Sequence, residues 1–219
     1  MQKINIIAAT TNEHKIIEIS AITNKFGISV VSRTDAGVPD FDIEEDGDTF
    51  EENSYIKAKT IMDYIGKPTI ADDSGLMVDA LNGAPGIYSA RFADNDKDGE
   101  DFLEDEQKSQ QRNSQDNANN LKLLRLLKDV PFEKRTAKFV SVITLLIPNK
   151  EPIVCRGEVH GHIAFEQIGE NGFGYDSLFI PIGRDTTFGV ISPGEKNTMS
   201  HRFRALEELK KKISVENFE

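Results

Sequence analysis

Hydrophobic and polar positions switch between two periods along this chain. Residues 3–9 form a short apolar run, which predicts a buried strand. Ile16, Ile19, Ile22 and Phe26 then recur at helical spacing behind Asn12, which predicts a capped helix reaching about Phe26. Residues 28–32 predict a second strand. Phe50, Ser54, Ala58, Ile61 and Ile65 make the inner stripe of a second helix over about 48–65, ended by Gly66-Lys67-Pro68. Residues 69–71 predict a short strand that delivers Asp72-Asp73-Ser74-Gly75 at its C-terminal end. Residues 121–127 restore a helical pattern. Residues 135–148 and 153–165 are rich in β-branched residues and joined by a short polar link, which predicts an antiparallel pair. A glycine-rich loop follows at 169–174. Ser200 stands as the cap of a last helix carrying Phe203, Leu206 and Ile213. This order predicts an α/β fold with a mixed sheet, without internal repeat or linker.

Composition narrows the picture. The chain has 219 residues, 38% hydrophobic and 29% charged, which suits one sizeable globular domain rather than a disordered chain. No apolar run approaches the ~20 residues of a membrane helix, so no membrane partner is expected. The N-terminal residues lack the pattern of a secretory signal. Cys155 is the only cysteine, which excludes an internal disulfide and a cysteine zinc cluster and makes the cytoplasm the expected compartment. The net charge of -11 argues against duplex nucleic acid as a partner. That charge is local, however. Residues 94–106 hold eight acids against one base, Lys97, a net -7. The stretch 94–120 reads as a polar acidic insertion.

Five segments carry candidate chemistry. In Thr10-Thr11-Asn12-Glu13-His14-Lys15 a strand gives way to a helix, whose free N–H groups favour a phosphate. Taken alone, the same residues read first as an ordinary helix cap. Behind the acids Glu44, Glu45 and Asp46, the residues Thr49, Asn53 and Lys57 share one helix face. An amide and an ammonium there suit phosphate oxygens and the acids suit a metal, although a solvated polar face has the same pattern. Asp72 and Asp73 are adjacent carboxylates at the end of a buried strand, costly unless paired or bound to a cation. Mg²⁺ takes one or two such carboxylates, and one can instead orient a water; a polar turn is the alternative. In Gly172-Phe173-Gly174-Tyr175-Asp176 the aromatics suit base stacking and Asp176 suits ring N–H groups, or the segment is a turn beside the core. Lys196, Ser200, His201 and Arg202 supply donors suited to a 6-oxo purine, or an ordinary helix start.

Together the segments resemble one family, the inosine triphosphate pyrophosphatases, which hydrolyse noncanonical purine nucleotides. The resemblance runs from about residue 3 to 210. It rests on Thr10-x-Asn12-x-x-Lys15, on Thr49-Phe50-Glu51-Glu52-Asn53 with Lys57, and on Ala71-Asp72-Asp73-Ser74-Gly75-Leu76 through Gly83-Ala84-Pro85-Gly86 to Arg91. It continues through Phe173-Gly174-Tyr175-Asp176 and Ser200-His201-Arg202.

The resemblance implies an elongated mixed sheet with flanking helices, in two lobes of a single domain around a central cleft, and a homodimer. It implies hydrolysis of ITP, dITP or XTP to the monophosphate and pyrophosphate with Mg²⁺. Thr10, Asn12, Lys15 and Lys57 would hold phosphates. Asp73 would be general base and metal ligand, supported by Asp72, with Glu44 or Glu45 as the second metal carboxylate. Ser74 would touch substrate. Phe173, Gly174, Tyr175, Asp176, Lys196, His201 and Arg202 would bind the base. Three features depart from the family pattern: Thr11 stands where glycine is usual, Ser177 where proline is usual, and the polar segment after Phe92 is long. A pyrophosphatase for pyrimidine or other modified nucleotides, or a silent nucleotide-binding protein, are the alternatives.

Two further patterns carry less. Asp94-x-Asp96-x-Asp98-Gly99, with Asp105 at the twelfth position, matches the start of a calcium loop, but Asp101 stands where an apolar residue belongs. His160 and His162 share one face of a strand without an evident third zinc ligand.

Overall fold

The computed structural model describes residues 4–39, 41–94 and 108–213, the side chains of 108–114 excepted. Its strands are β1 (Ile4–Ala8), β2 (Ile28–Ser32), β3 (Thr69–Val78), β4 (Thr136–Leu146), β5 (Ile153–Ile163) and β6 (Phe179–Pro181). The α-helices are α1 (Glu13–Thr23), α2 (Phe50–Ile65), α3 (Lys108–Leu126), α4 (Pro193–Lys196) and α5 (His201–Lys212). The strands form one sheet in the order β2-β1-β3-β4-β5-β6. β1 runs parallel to β2 and β3, and β5 antiparallel to β6, so the sheet is mixed.

The chain divides into two compact units. The first comprises Met1–Ser74, Val140–Glu158 and Asn197–Glu219. Here β1 is buried on both faces. Ile6 and Ala8 pack with Ile19 and Ile22 of α1 and with Leu206 and Leu209 of α5. Ile7 and Ala9 pack with Ala58 and Ile61 of α2. A strand covered by helices on both sides reads as a continuous apolar run, as residues 6–9 do. The α5 backbone comes close to β5 at Gly157, where a β-carbon would lie 2.2 Å from the His201 carbonyl oxygen; only glycine fits there.

The second unit comprises Gly75–Phe139 and Val159–Lys196. Phe139, Phe179 and Phe188 form its aromatic core, with ring centroids 4.6–6.2 Å apart. Arg135 is buried, and its guanidinium donates to the carbonyls of Leu127, Val130 and Ala164. Those oxygens take the place of water around the charge.

Three elements differ from the sequence expectation. The strand expected over 69–71 continues to Val78, because Leu76 and Val78 are fully buried and carry the apolar alternation onward. Asp72 and Asp73 therefore lie within the strand rather than at its end. The helix expected over 121–127 extends back to Lys108, into the polar stretch. The first helix ends at Thr23 and passes into a 3-10 turn over Asn24–Phe26. The possible calcium loop lies, apart from Asp94, outside the described residues. Among the described residues no helix is long and apolar enough to cross a membrane, and no three His, Cys, Asp or Glu side chains group as a metal site.

Candidate active site

Side chains alternate across a strand, so the neighbours Asp72 and Asp73 face opposite sides of β3. Each meets the cations of the helices on its side. Asp72 is 1% exposed. Its Oδ2 lies 2.8 Å from Lys15 Nζ of α1 and 2.9 Å from Arg202 Nη2 of α5, and also accepts from Ser74 Oγ at 3.1 Å. Its Oδ1 accepts from Ser141 Oγ. Arg202 is fully buried, with Nη1 against Glu18 of α1. Burial alone would raise the Asp72 pKa, but Arg202 and Lys15 hold it well below the usual carboxylate range.

Asp73 faces α2. Its Oδ1 lies 2.6 Å from Lys57 Nζ, which also lies 2.8 Å from Glu45 Oε2. Its Oδ2 is buried and has no hydrogen-bond partner among the described residues. Burial pushes the Asp73 carboxyl up, against the pull of Lys57 and Lys15. Burial would lower the Lys57 ammonium, but Asp73 and Glu45 raise it. Two carboxylates gathered on one ammonium, with a buried oxygen left over, suit a hard divalent cation that takes one or two carboxylates and completes its shell with water and phosphate. Glu44 is exposed, whereas Glu45 is half-buried on Lys57.

The helices place these cations. Thr49 caps α2 by accepting from Glu52 N, while Glu52 Oε2 accepts from Asp48 N at 2.8 Å, a reciprocal pair of the capping-box kind. One turn on, the buried Asn53 Oδ1 accepts from Gly47 N at 2.9 Å and ties the acidic loop to the helix. Asn53 thus holds the loop, and Lys57, one turn further, reaches the carboxylates. On α1, Asn12 Oδ1 accepts from the N–H groups of His14 and Lys15, and Thr10 Oγ1 accepts from Asn12 N. Both features of this segment, cap and cation, are therefore present; Thr11 is exposed.

The second unit holds a separate cluster. Asp176 and Lys196 are buried, with Lys196 Nζ 2.6 Å from Asp176 Oδ2. The same oxygen accepts from Phe173 N at 2.9 Å, and Lys196 Nζ lies 4.9 Å from the Phe173 ring centroid. Gly172 makes this possible. It has φ +80°, and a β-carbon there would fall 2.0 Å from Asp176 Oδ2. Tyr175 is buried and donates to the Ser89 carbonyl at 2.9 Å, and burial pushes its hydroxyl pKa far up. It is a core residue of this loop, whereas Phe173 is half-buried.

Of the predicted site residues, the first unit brings together Lys15, Asp72, Ser74 and Arg202 on one face of the strand, and Glu45, Lys57 and Asp73 on the other. The second gathers Phe173, Gly174, Asp176 and Lys196. His201 is buried in the first unit at the start of α5, and its neighbour Arg202 points to Asp72 and Glu18. Sequence reasoning missed Glu18, Ser141, Asp116 and Asn120. Glu18 lies three residues after Lys15, a helical spacing that was available as a signal. Ser141 interrupts an apolar strand, a weaker one.

The Ham1 family pattern matches residues 6–212. The chain belongs to the Ham1 family. A dITP/XTP pyrophosphatase of Mannheimia succiniciproducens is 46% identical over 215 residues, covering 97% of this chain and 100% of its own. That of Haemophilus influenzae is 43% identical, covering 96% and 100%. The Staphylococcus aureus Ham1 protein structure has a TM-score of 0.76 at 40% identity, covering 94% of this chain and 96% of that one. A Mycobacterium abscessus structure described as a nucleoside-triphosphatase and dITP/XTP pyrophosphatase has a TM-score of 0.69 at 40% identity, covering 94% and 98%. The Ham1 fold is thus shared across nearly the whole chain.

Proposed function

We propose that this Ham1 protein hydrolyses noncanonical purine nucleoside triphosphates, dITP, ITP and XTP, to the monophosphate and pyrophosphate. The observation that carries the reading is the buried Asp73, with one oxygen on Lys57 and the other without a partner among the described residues. The relatives named above as dITP/XTP pyrophosphatases support the substrate class.

Asp73 and Glu45 would hold Mg²⁺, and Glu44 would stay in solvent. The bound ion would neutralise phosphate charge in the transition state. Asp73 accepts the proton of a water that attacks the α-phosphorus. The bond from that phosphorus to the bridging oxygen breaks, and pyrophosphate leaves with the electron pair. Lys15, Lys57 and the amide of Asn12 offset charge on the departing pyrophosphate, with Thr10 and Thr11 beside them. Asp72 keeps Lys15 and Ser74 in place and is itself held by Arg202. In the second unit, Phe173 would stack on the base and Asp176 with Lys196 would read its edge. A homodimer in the cytoplasm is part of the same reading; a free, buried Cys155 suits a reducing compartment.

The test is an assay of the common nucleotides together with ITP, dITP and XTP, with Mg²⁺ or with chelator, measuring pyrophosphate and orthophosphate separately. Pyrophosphate release from ITP and XTP, lost with chelator, is the expected result. Preference for UTP or dTTP, or tight ITP binding without release, would contradict the reading.

A further inference from the structure

Helix α3 is mostly polar, yet Asn119 and Asn120 on it are buried. Asn119 is tied to the segment before it: its Oδ1 accepts from Ala93 N, and its Nδ2 donates to the carbonyls of Ser89 and Ala90. Asn120 points elsewhere. Its Nδ2 donates to the Gly174 carbonyl at 3.0 Å and to Gln167 Oε1 at 3.1 Å. Its Oδ1 is buried without a hydrogen-bond partner among the described residues, so the donor half of the amide is the half in use. One turn earlier on the same helix face, Asp116 Oδ2 accepts from Gly174 N at 2.7 Å.

Both backbone polar groups of Gly174 are thus held by α3. On the other side of Phe173, its own N–H is held by Asp176. Gly172 and Gly174 have φ of +80° and +62°, so Phe173 sits between two residues in the left-handed region. Two glycines give the loop more freedom than any other pair of residues would. The side-chain bonds remove that freedom at consecutive amides.

We infer that Asp116 and Asn120 are positioning residues for base recognition, which clamp the Gly174 peptide so that Phe173 is presented in one orientation. This rests on the reading that Phe173, Asp176 and Lys196 contact the base. It gives the C-terminal part of the polar stretch a function: α3 carries the clamp.

The test compares Asp116→Ala, Asn120→Ala and Asp116→Asn with the unsubstituted protein, measuring kcat and KM for ITP and ATP, inhibition by pyrophosphate, and the melting temperature. In both alanine variants KM for ITP rises about five- to ten-fold, the size of one lost hydrogen bond, with kcat nearly unchanged. The ITP-to-ATP preference in kcat/KM falls. Inhibition by pyrophosphate stays constant, because its binding groups lie in the other unit. Asp116→Asn keeps an acceptor for Gly174 N and restores KM. Should Asn120→Ala not fold, the two variants at the half-buried Asp116 carry the test. An unchanged KM and preference in folded Asp116→Ala overturns the inference, as does an equal weakening of pyrophosphate inhibition. An unsubstituted protein that releases no pyrophosphate from ITP overturns the underlying reading of the site instead.

Discussion

Asp72 and Asp73 are chain neighbours, share one strand and are both buried, yet they end in opposite conditions. On one face, both oxygens of Asp72 are engaged by Lys15, Arg202, Ser74 and Ser141, and its pKa is held low. On the other, Asp73 has one oxygen on Lys57, the second has no partner among the described residues, and burial keeps its pKa high. The difference separates two uses of a buried carboxylate. One is closed by hydrogen bonds and holds elements together. The other is left partly open, and in the proposed reading that opening takes a cation or a proton. Pleating produces the split, since it hands adjacent residues to helices on opposite faces.

The largest way to break this comparison is on the closed side. Arg202→Leu leaves Asp72 and Glu18 buried without their shared guanidinium. Urea unfolding is expected to show a loss of about 3–5 kcal/mol, the range for removing one partner of a buried pair. Asp73→Asn is expected to cost far less, because burial already disfavours that charge.

Acid titration sharpens the same contrast. The Asp72 carboxyl is depressed below its ordinary 3.8 in the folded protein, so its contribution is present above that pH and is lost as pH falls toward the folded value. Unfolding followed from pH 5 downward should therefore show this loss in the parent and a shallower slope in Asp72→Asn.

A smaller effect is expected at the loop beside Asp73. Asn53→Ala removes the acceptor of Gly47 N and loosens the acidic loop that carries Glu45. The half-saturating Mg²⁺ concentration in the pyrophosphate assay should rise about five-fold, matching a hydrogen bond of roughly 1 kcal/mol. The unfolding midpoint should move little.

The strands and helices of the first unit were legible because their apolar positions keep one period. Residues 4–9 and the stripe from Phe50 to Ile65 lead straight to the observed elements. Asp72 and Asp73 were legible as a charged pair, but not as an opposed one. Reading the strand as ending at Ala71 put both carboxylates in a loop, where alternation has no meaning. Extending it through Leu76 and Val78 would have separated them. Glu18 carries little signal of its own in the sequence, because its partner Arg202 is 184 residues away. Helix α3 was hidden for another reason. Its buried positions include Asn119 and Asn120, whose amides donate to backbone carbonyls, and an apolar-period search passes over such residues.

The central claim is that Asp73 is the reactive member of the pair. Its most direct test is steady-state pyrophosphate release from ITP by purified Asp73→Asn, with folding checked by unfolding midpoint. A fall in kcat of about 10²–10⁴-fold in a folded protein is the predicted result, the usual range for losing a general base. A rate near that of the parent would contradict the claim.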